Sequence, residues 1–183
     1  MVDRLPWMSS PAWSWYNTFT PLFEPLPHPD PTPSLPALRK LLDALTSPEV
    51  GWETDQIHLF GWGQGGTIAL ELACDLGKTK RRLGSVISVC AGLFSHPSTK
   101  MDLETPVLYF TRSDVRFWSG EKVVNSLKRA FKEVEVVRGD VGRGEDMPRG
   151  RGEWEGIMRF WARLLGRADK GWKGEGEVYE VVR

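Results

Sequence analysis

From residue 34 onward, apolar positions alternate between helical stripes and short unbroken runs. Leu35, Leu38, Leu41, Leu42 and Leu45 recur at helical spacing behind Ser34, with Pro36 in the first turn, and stop at Ser47-Pro48. This predicts a helix capped by Ser34. Gly51 to Gln56 reads as a turn and Ile57 to Phe60 as a short buried strand. Thr67 to Leu76, built of small and apolar residues, reads as a buried helix, with Gly77 where a C-cap glycine belongs. Val86 to Cys90 and Pro106 to Phe110 are apolar runs of strand length, separated by a loop over Ala91 to Thr105. Glu121 to Phe131 is an amphipathic helical pattern and Glu133 to Val137 a fourth strand. A long Gly/Arg loop, Arg138 to Gly152, then leads to a helix over Glu153 to Leu165. Trp154, Ile157, Met158, Trp161 and Leu164/Leu165 fall on its apolar side. Val178 to Val182, in the tail, is a weak strand or docking segment.

Strands that alternate with helices specify an α/β fold, three layers deep, with a mostly parallel sheet. Ligands on such sheets bind beyond the carboxyl ends of the strands. Gly63, Ala91, Asp114 and the loop over Arg138 to Gly152 all fall at those ends. The chain divides into a Pro/Trp-rich arm (1–36), an α/β domain (37–168) and a tail (169–183). Nine of the thirteen prolines lie in the arm, where they fix φ and remove amide donors. An irregular or polyproline segment follows. Its aromatics Trp13, Trp15, Tyr16, Phe19 and Phe23 favour packing on the domain over a disordered tail.

Composition narrows the function classes. The 183 residues carry 24 basic and 24 acidic side chains, so no net field favours nucleic acid or an anionic membrane. The arginines of the last third alternate with Glu and Asp, as on a solvated surface. No apolar run is long enough to span a bilayer, and Met1 to Ser10 lacks the apolar core of a secretory signal. Two cysteines, Cys74 and Cys90, form no metal-ligand spacing and read as buried thiols of a cytoplasmic protein. No cofactor is expected. A small ligand or a protein is the expected partner.

The densest chemical signal is Gly61-Trp62-Gly63-Gln64-Gly65-Gly66-Thr67, where a strand enters a glycine-rich turn and a helix leaves it. This is the outline of a nucleophile elbow, G-x-S-x-G, whose tight turn only small neighbours permit. Gly61 and Gly65 match the flanking glycines, and Gly63 stands where the serine would be. The run resembles the G-F-S-Q-G-G elbow of the phospholipase/carboxylesterase branch of the α/β-hydrolases, which includes the acyl-protein thioesterases. Thr105 to Val115 resembles that branch's later strand ending in G-D-x-D, with Asp114 at the position of the acid. The resemblance covers roughly residues 57 to 165 and implies an ester or thioester hydrolase site.

What the resemblance also implies is a defective triad. Glycine cannot attack a carbonyl, and the histidine that would activate a serine should follow Asp114. The three histidines are His28, His58 and His96, all earlier, and Glu145 stands near the expected place. The second oxyanion donor would accompany the amide of Gln64 from a loop after an early strand. That loop and the first strands of the family precede the segment with which this chain begins, and residues 1–36 are too proline-rich to supply them. The elbow strand is then expected at an apolar edge. The arm, a partner or a second copy could cover it, although an incomplete version of a longer protein is the favoured explanation.

These observations favour a catalytically inactive member that binds a ligand or a protein, with Asp114 vestigial and Gln64, Gly65 and Gly66 at the binding turn. An active hydrolase with another nucleophile would need Ser88, Cys90 or Ser113, with His96 as the one imaginable base. Gly61, Gly63 and Gly66 also satisfy a dinucleotide fingerprint, but the next strand ends Val89-Cys90-Ala91-Gly92 without the ribose-binding carboxylate. Anion binding at the helix amino terminus is the residue of that reading. Asp140, Glu145 and Asp146 are expected to be solvated rather than an acid/base pair.

Overall fold

The computed structural model describes residues 13–112 and 120–168, with side chains as far as 165. Four parallel strands form one sheet in sequence order: β1 (His58–Trp62), β2 (Ser85–Val89), β3 (Val107–Thr111) and β4 (Val134–Arg138). Phe60 pairs with Ile87, Ile87 with Leu108, and Leu108 with Glu135. Helices α1 (Leu35–Leu45), α2 (Gln64–Gly77) and α3 (Gly120–Ala130) cover one face, and α4 (Gly150–Ala168) covers the other. The expected three-layer α/β architecture is present.

The side-chain period of the strands decides which helix each residue meets. Val86, Val107 and Tyr109 point into the core under α1, α2 and α3. Ile87, Val89, Leu108 and Phe110 point the other way, onto Ile157, Phe160 and Leu164 of α4. Every residue of β2 and β3 is buried, which is why these segments read as continuous apolar runs rather than alternating ones. Complete burial of a side chain such as Phe160 or Ile157 contributes about 1.5–3 kcal/mol. On α3, Val123, Leu127 and Ala130 are the buried stripe of an otherwise charged helix.

Several boundaries differ from expectation. β1 runs to Trp62, and α2 begins three residues before Thr67, at Gln64. Gly77 is the last residue of α2 rather than its cap, and Lys78 takes the cap position. Packing explains that glycine: a Cβ there would lie 2.5 Å from Leu103 Cδ2. Ser34 precedes α1 but makes no side-chain cap; its hydroxyl donates instead to the carbonyl of Trp15, tying the arm to the helix. On α4, Met158 and Leu165 face solvent at 56% and 52% exposure, and Phe160 occupies the core in their place.

Residues 13–36 pack on the domain through Tyr16, which is buried with its ring edge on Phe94 at 5.6 Å. Phe19 bridges Pro25 as a short antiparallel turn, while Trp13 and Phe23 are exposed. Among the described residues β1 pairs with β2 alone, so its other side is an edge. A groove of about 360 Å³ runs beside it, lined by Leu38, Leu41 and Leu45 of α1 and by Leu59, Phe60 and Trp62. No described helix is long and apolar enough to cross a membrane. Val178 to Val182, the candidate tail strand, lies outside the described residues.

The glycines supply a stability test. A Cβ on Gly61 would lie 2.3 Å from the carbonyl oxygen of Gly65, whereas one on Gly152, inside α4, would meet nothing. Gly61→Ala is expected to destabilise the domain by about 1–3 kcal/mol through overpacking. Gly152→Ala is expected to stabilise it by up to about 1 kcal/mol through helix propensity and unfolded-state entropy. Urea unfolding midpoints of the two variants should therefore move in opposite directions.

Candidate active-site cavity

The turn from β1 into α2 is built by close backbone approach. Gly61 lies against the Gly65 carbonyl, and a Cβ on Gly66 would lie 2.6 Å from Ser88 Oγ and 3.0 Å from Ala91 Cβ. The tightest space constraints therefore fall on Gly61 and Gly66. A Cβ on Gly65 would meet only Trp15 Nε1, at an ordinary 3.6 Å. Gly63, at the apex, has φ 53° and ψ −123° and caps α2. A Cβ at that position points into open space, with nothing within 4 Å. The turn keeps the geometry that presents a nucleophile, without the side chain that would be one.

Above Gly63 lies a cavity of about 420 Å³. Gly63 and Gln64 border it from the elbow, Cys90 and Phe94 from the end of β2, and Glu145 from the loop after β4. The arm closes the remaining side with Tyr16, Thr18, Phe19, Pro25, Leu26 and Pro29. Gln64 joins arm to elbow, since its Oε1 accepts the Trp15 amide at 2.8 Å and its Nε2 donates to the Tyr16 carbonyl at 3.2 Å. Glu71, buried within α2, accepts the amides of Phe94 and Ser95 at 2.8 Å each and the Ser95 hydroxyl. These bonds hold Phe94 in the wall.

The loop that carries Glu145 is anchored by an ion pair. Arg112, directly after β3, and Glu153, in the first turns of α4, have side chains 0% and 4% exposed and meet at 2.9 and 3.1 Å. The guanidinium also donates to the carbonyls of Gly144, Asp146 and Met147. Glu153 accepts the amides of Asp140 at 2.9 Å and Arg149 at 2.7 Å. Trp62 Nε1 donates to the Glu145 carbonyl, linking the loop back to β1. Burial alone would raise the Glu153 carboxyl, but Arg112 and the two amides outweigh it and hold it at about 2.

Gly63, Gln64 and Glu145 border one cavity. Gly65 and Gly66 stand in the elbow behind them, and Asp140 and Asp146 lie on the exposed loop. Asp114 and Ser113 lie outside the described residues. Ser88 is in the core, donating to the Ala91 carbonyl at 2.7 Å. No histidine lines the cavity: His58 bonds Ser85 at the opposite ends of the strands, and His28 and His96 are exposed elsewhere. The cavity wall from the arm, Phe94, and the Arg112–Glu153 pair were not anticipated as site elements. The aromatic residues of the arm were a usable signal for the first; nothing local marked the pair.

The chain is 32% identical over 185 residues to an uncharacterized hydrolase of Mycosarcoma maydis, a match spanning 97% of this chain and 67% of that protein. Together with the fold and the elbow, that relative decides the family. The chain belongs to the α/β-hydrolases. The solved structures that it resembles in fold include acyl-protein thioesterase and carboxylesterase enzymes. Among solved structures, this hydrolase-fold protein is similar to SOBER1 of Arabidopsis thaliana, with TM-score 0.59, 20% identity, and coverage of 85% of this chain and 76% of that one. It is also similar to acyl-protein thioesterase 2 of Zea mays, with TM-score 0.61, 15% identity, and coverage of 85% and 74%. A Bacillus cereus carboxylesterase matches with TM-score 0.57 and 16% identity, over 73% of this chain and 61% of the other. No family profile matches the chain.

The Arg112–Glu153 pair predicts a pH dependence. A carboxylate whose folded pKa lies below its unfolded value contributes stability above the unfolded value and loses it as pH falls toward the folded one. Stability from Glu153 should therefore be complete above about 4.5 and fade toward about 2. Glu153→Ala strands Arg112 in the core, an expected loss of about 3–5 kcal/mol at neutral pH. Its unfolding curves should lack that acid-range component.

Proposed function

We propose that this α/β-hydrolase-fold protein is catalytically silent and binds a small ligand with an apolar chain in the cavity above Gly63. The carrying observation is that Gly63 occupies the apex of the elbow, while Glu145, near where the resemblance expects the histidine, is the residue of the following loop that borders the cavity. Acyl transfer requires a nucleophile and a base to deprotonate it. Glycine offers neither an oxygen nor a sulfur, and no histidine borders the cavity among the described residues. Binding needs neither group. A cavity of this volume, mainly apolar with a few polar groups, suits a small molecule. Asp114, at the position of the family's acid, is then a vestige with no imidazole to orient. Neither cysteine is in a disulfide and both are buried, which suits a reducing, cytoplasmic setting.

An active hydrolase with a non-standard nucleophile is the opposed reading. Cys90 borders the cavity, but its thiol lies 4.0 Å from both the Gly144 carbonyl and the Arg112 guanidinium, at a residue 1% exposed. Treatment with a fluorophosphonate and a short-chain p-nitrophenyl ester separates the two. The expected result is no labelling and no turnover above buffer, for the natural chain and for Gly63→Ser alike. Labelling or turnover by the natural chain would overturn the proposal. Gly63→Ser is sterically open at Cβ, so circular dichroism should show it folded.

A further inference from the structure

β1 is the least covered strand of a sheet whose inner strands are wholly buried. Among the described residues no strand lies on its outer side, where an apolar groove runs instead. Leu41 and Trp62 border that groove and are 54% and 52% exposed. The arm does not fill it, since of residues 13–34 only Trp15 is in the lining. Parallel sheets are covered on both faces, and a bare apolar edge invites another strand.

The path of the chain points to the strand that covers it. Strands β1 to β4 advance across the sheet in order while α2 and α3 lie on one face, as right-handed crossovers require. Helix α4 follows β4 but lies on the opposite face. A right-handed return through that face runs back toward β1, and the first open position is beyond β1. A strand on the outer side of β4 would need the left-handed connection, found in about 2% of cases. The traverse is already made by α4. A Cβ on its Gly156 would lie 2.8 Å from Val137 of β4, whereas its Trp154 and Trp161 meet Phe60 of β1. The helix also descends the sheet. Its Glu153 bonds Arg112 after β3, and its Leu164 shares a pocket with His58, Gly84 and Pro106 at the amino ends of three strands.

We propose that residues 178–182 dock in the groove as a fifth, parallel strand on the outer side of β1. The nine residues 169–177 connect it to α4 and include Gly171, Gly174 and Gly176. Extended, they reach roughly 30 Å, against about 5 Å between neighbouring strands. A chain arriving from the amino ends runs parallel to β1, and the two segments are equal at five residues each. With Val178 opposite His58, Tyr179 and Val181 share the face of Leu59, toward the leucines of α1. Glu180 then lies on the other face, at the outer margin of the sheet. A charge there discourages pairing by a further chain.

Amide hydrogen exchange and NOEs on the labelled full chain test the docking. Residues 178–182 should exchange at least about a hundredfold more slowly than Gly171, Gly174 and Gly176. The Tyr179 ring should show NOEs to the methyl groups of Leu41 and Leu59. Val181→Asp, which would put a carboxylate in the groove, should bring residues 178–182 within about threefold of those glycines. The β2 and β3 amides of that variant should stay protected, which separates undocking from unfolding. Unprotected amides at 178–182 in the natural chain would overturn the proposal. NOEs from Tyr179 to β4 would overturn it by placing the strand on the other edge. Protection that rises with concentration, together with a dimer in light scattering, would overturn it by making a second copy the occupant.

Discussion

The ion pair between Arg112 and Glu153 holds the upper end of this molecule together. It joins the end of β3 to the first turns of α4 and gathers the intervening loop by its carbonyls and amides. Two charges removed from water cost several kcal/mol each, and Coulomb attraction alone seldom returns it. Here the remaining hydrogen-bonding capacity is also used. Glu153 accepts the guanidinium and two main-chain amides, and Arg112 donates to three carbonyls besides. Phe110 lies beneath the guanidinium, with its ring centroid 4.9 Å away. The pair is stable because the loop is folded around it, and the loop is folded because the pair is there.

This coupling explains what the sequence could and could not reveal. Periodicity marks a strand or helix when the residues that share a face are close in the chain, as with Val123, Leu127 and Ala130 on α3. Four strands and four helices were legible for that reason, although their ends moved by one to three residues. The elbow was legible because its constraint is local: Gly61 must clear Gly65 and Gly66, four and five residues away. Arg112 and Glu153 are separated by 41 residues, and each alone looks like an ordinary surface charge. Gly77 misled for a related reason. It resembles a C-cap, whereas the contact that requires its small size is with Leu103 in a distant loop.

The sheet edge shows the same division between local pattern and tertiary context. β2 and β3 are buried throughout, but β1 is only partly covered, and its last residue, Trp62, is 52% exposed. Phe60 nevertheless has partners on the α4 side, where it stacks on Trp154 at 5.7 Å and meets Trp161 at 5.9 Å. On the opposite side α1 approaches without closing over the strand, which leaves the apolar groove between them. Apolar sequence in β1 is thus explained in part by α2 and α4. The remainder faces the groove.

An elbow without a nucleophile would be puzzling if the turn existed only for chemistry. Its geometry shows a second role. Gly66 sits against Ser88 and Ala91, so the turn sets the depth at which α2 meets β2, and the whole crossover from β1 to β2 depends on that contact. A residue with a side chain at the apex must hold φ near 53°, a conformation costing non-glycine residues about 1–2 kcal/mol. Glycine at position 63 removes that strain while the contacts of Gly61 and Gly66 still impose the shape. Packing therefore suffices to impose the turn, and the turn, the arm and the anchored loop together enclose the cavity above it.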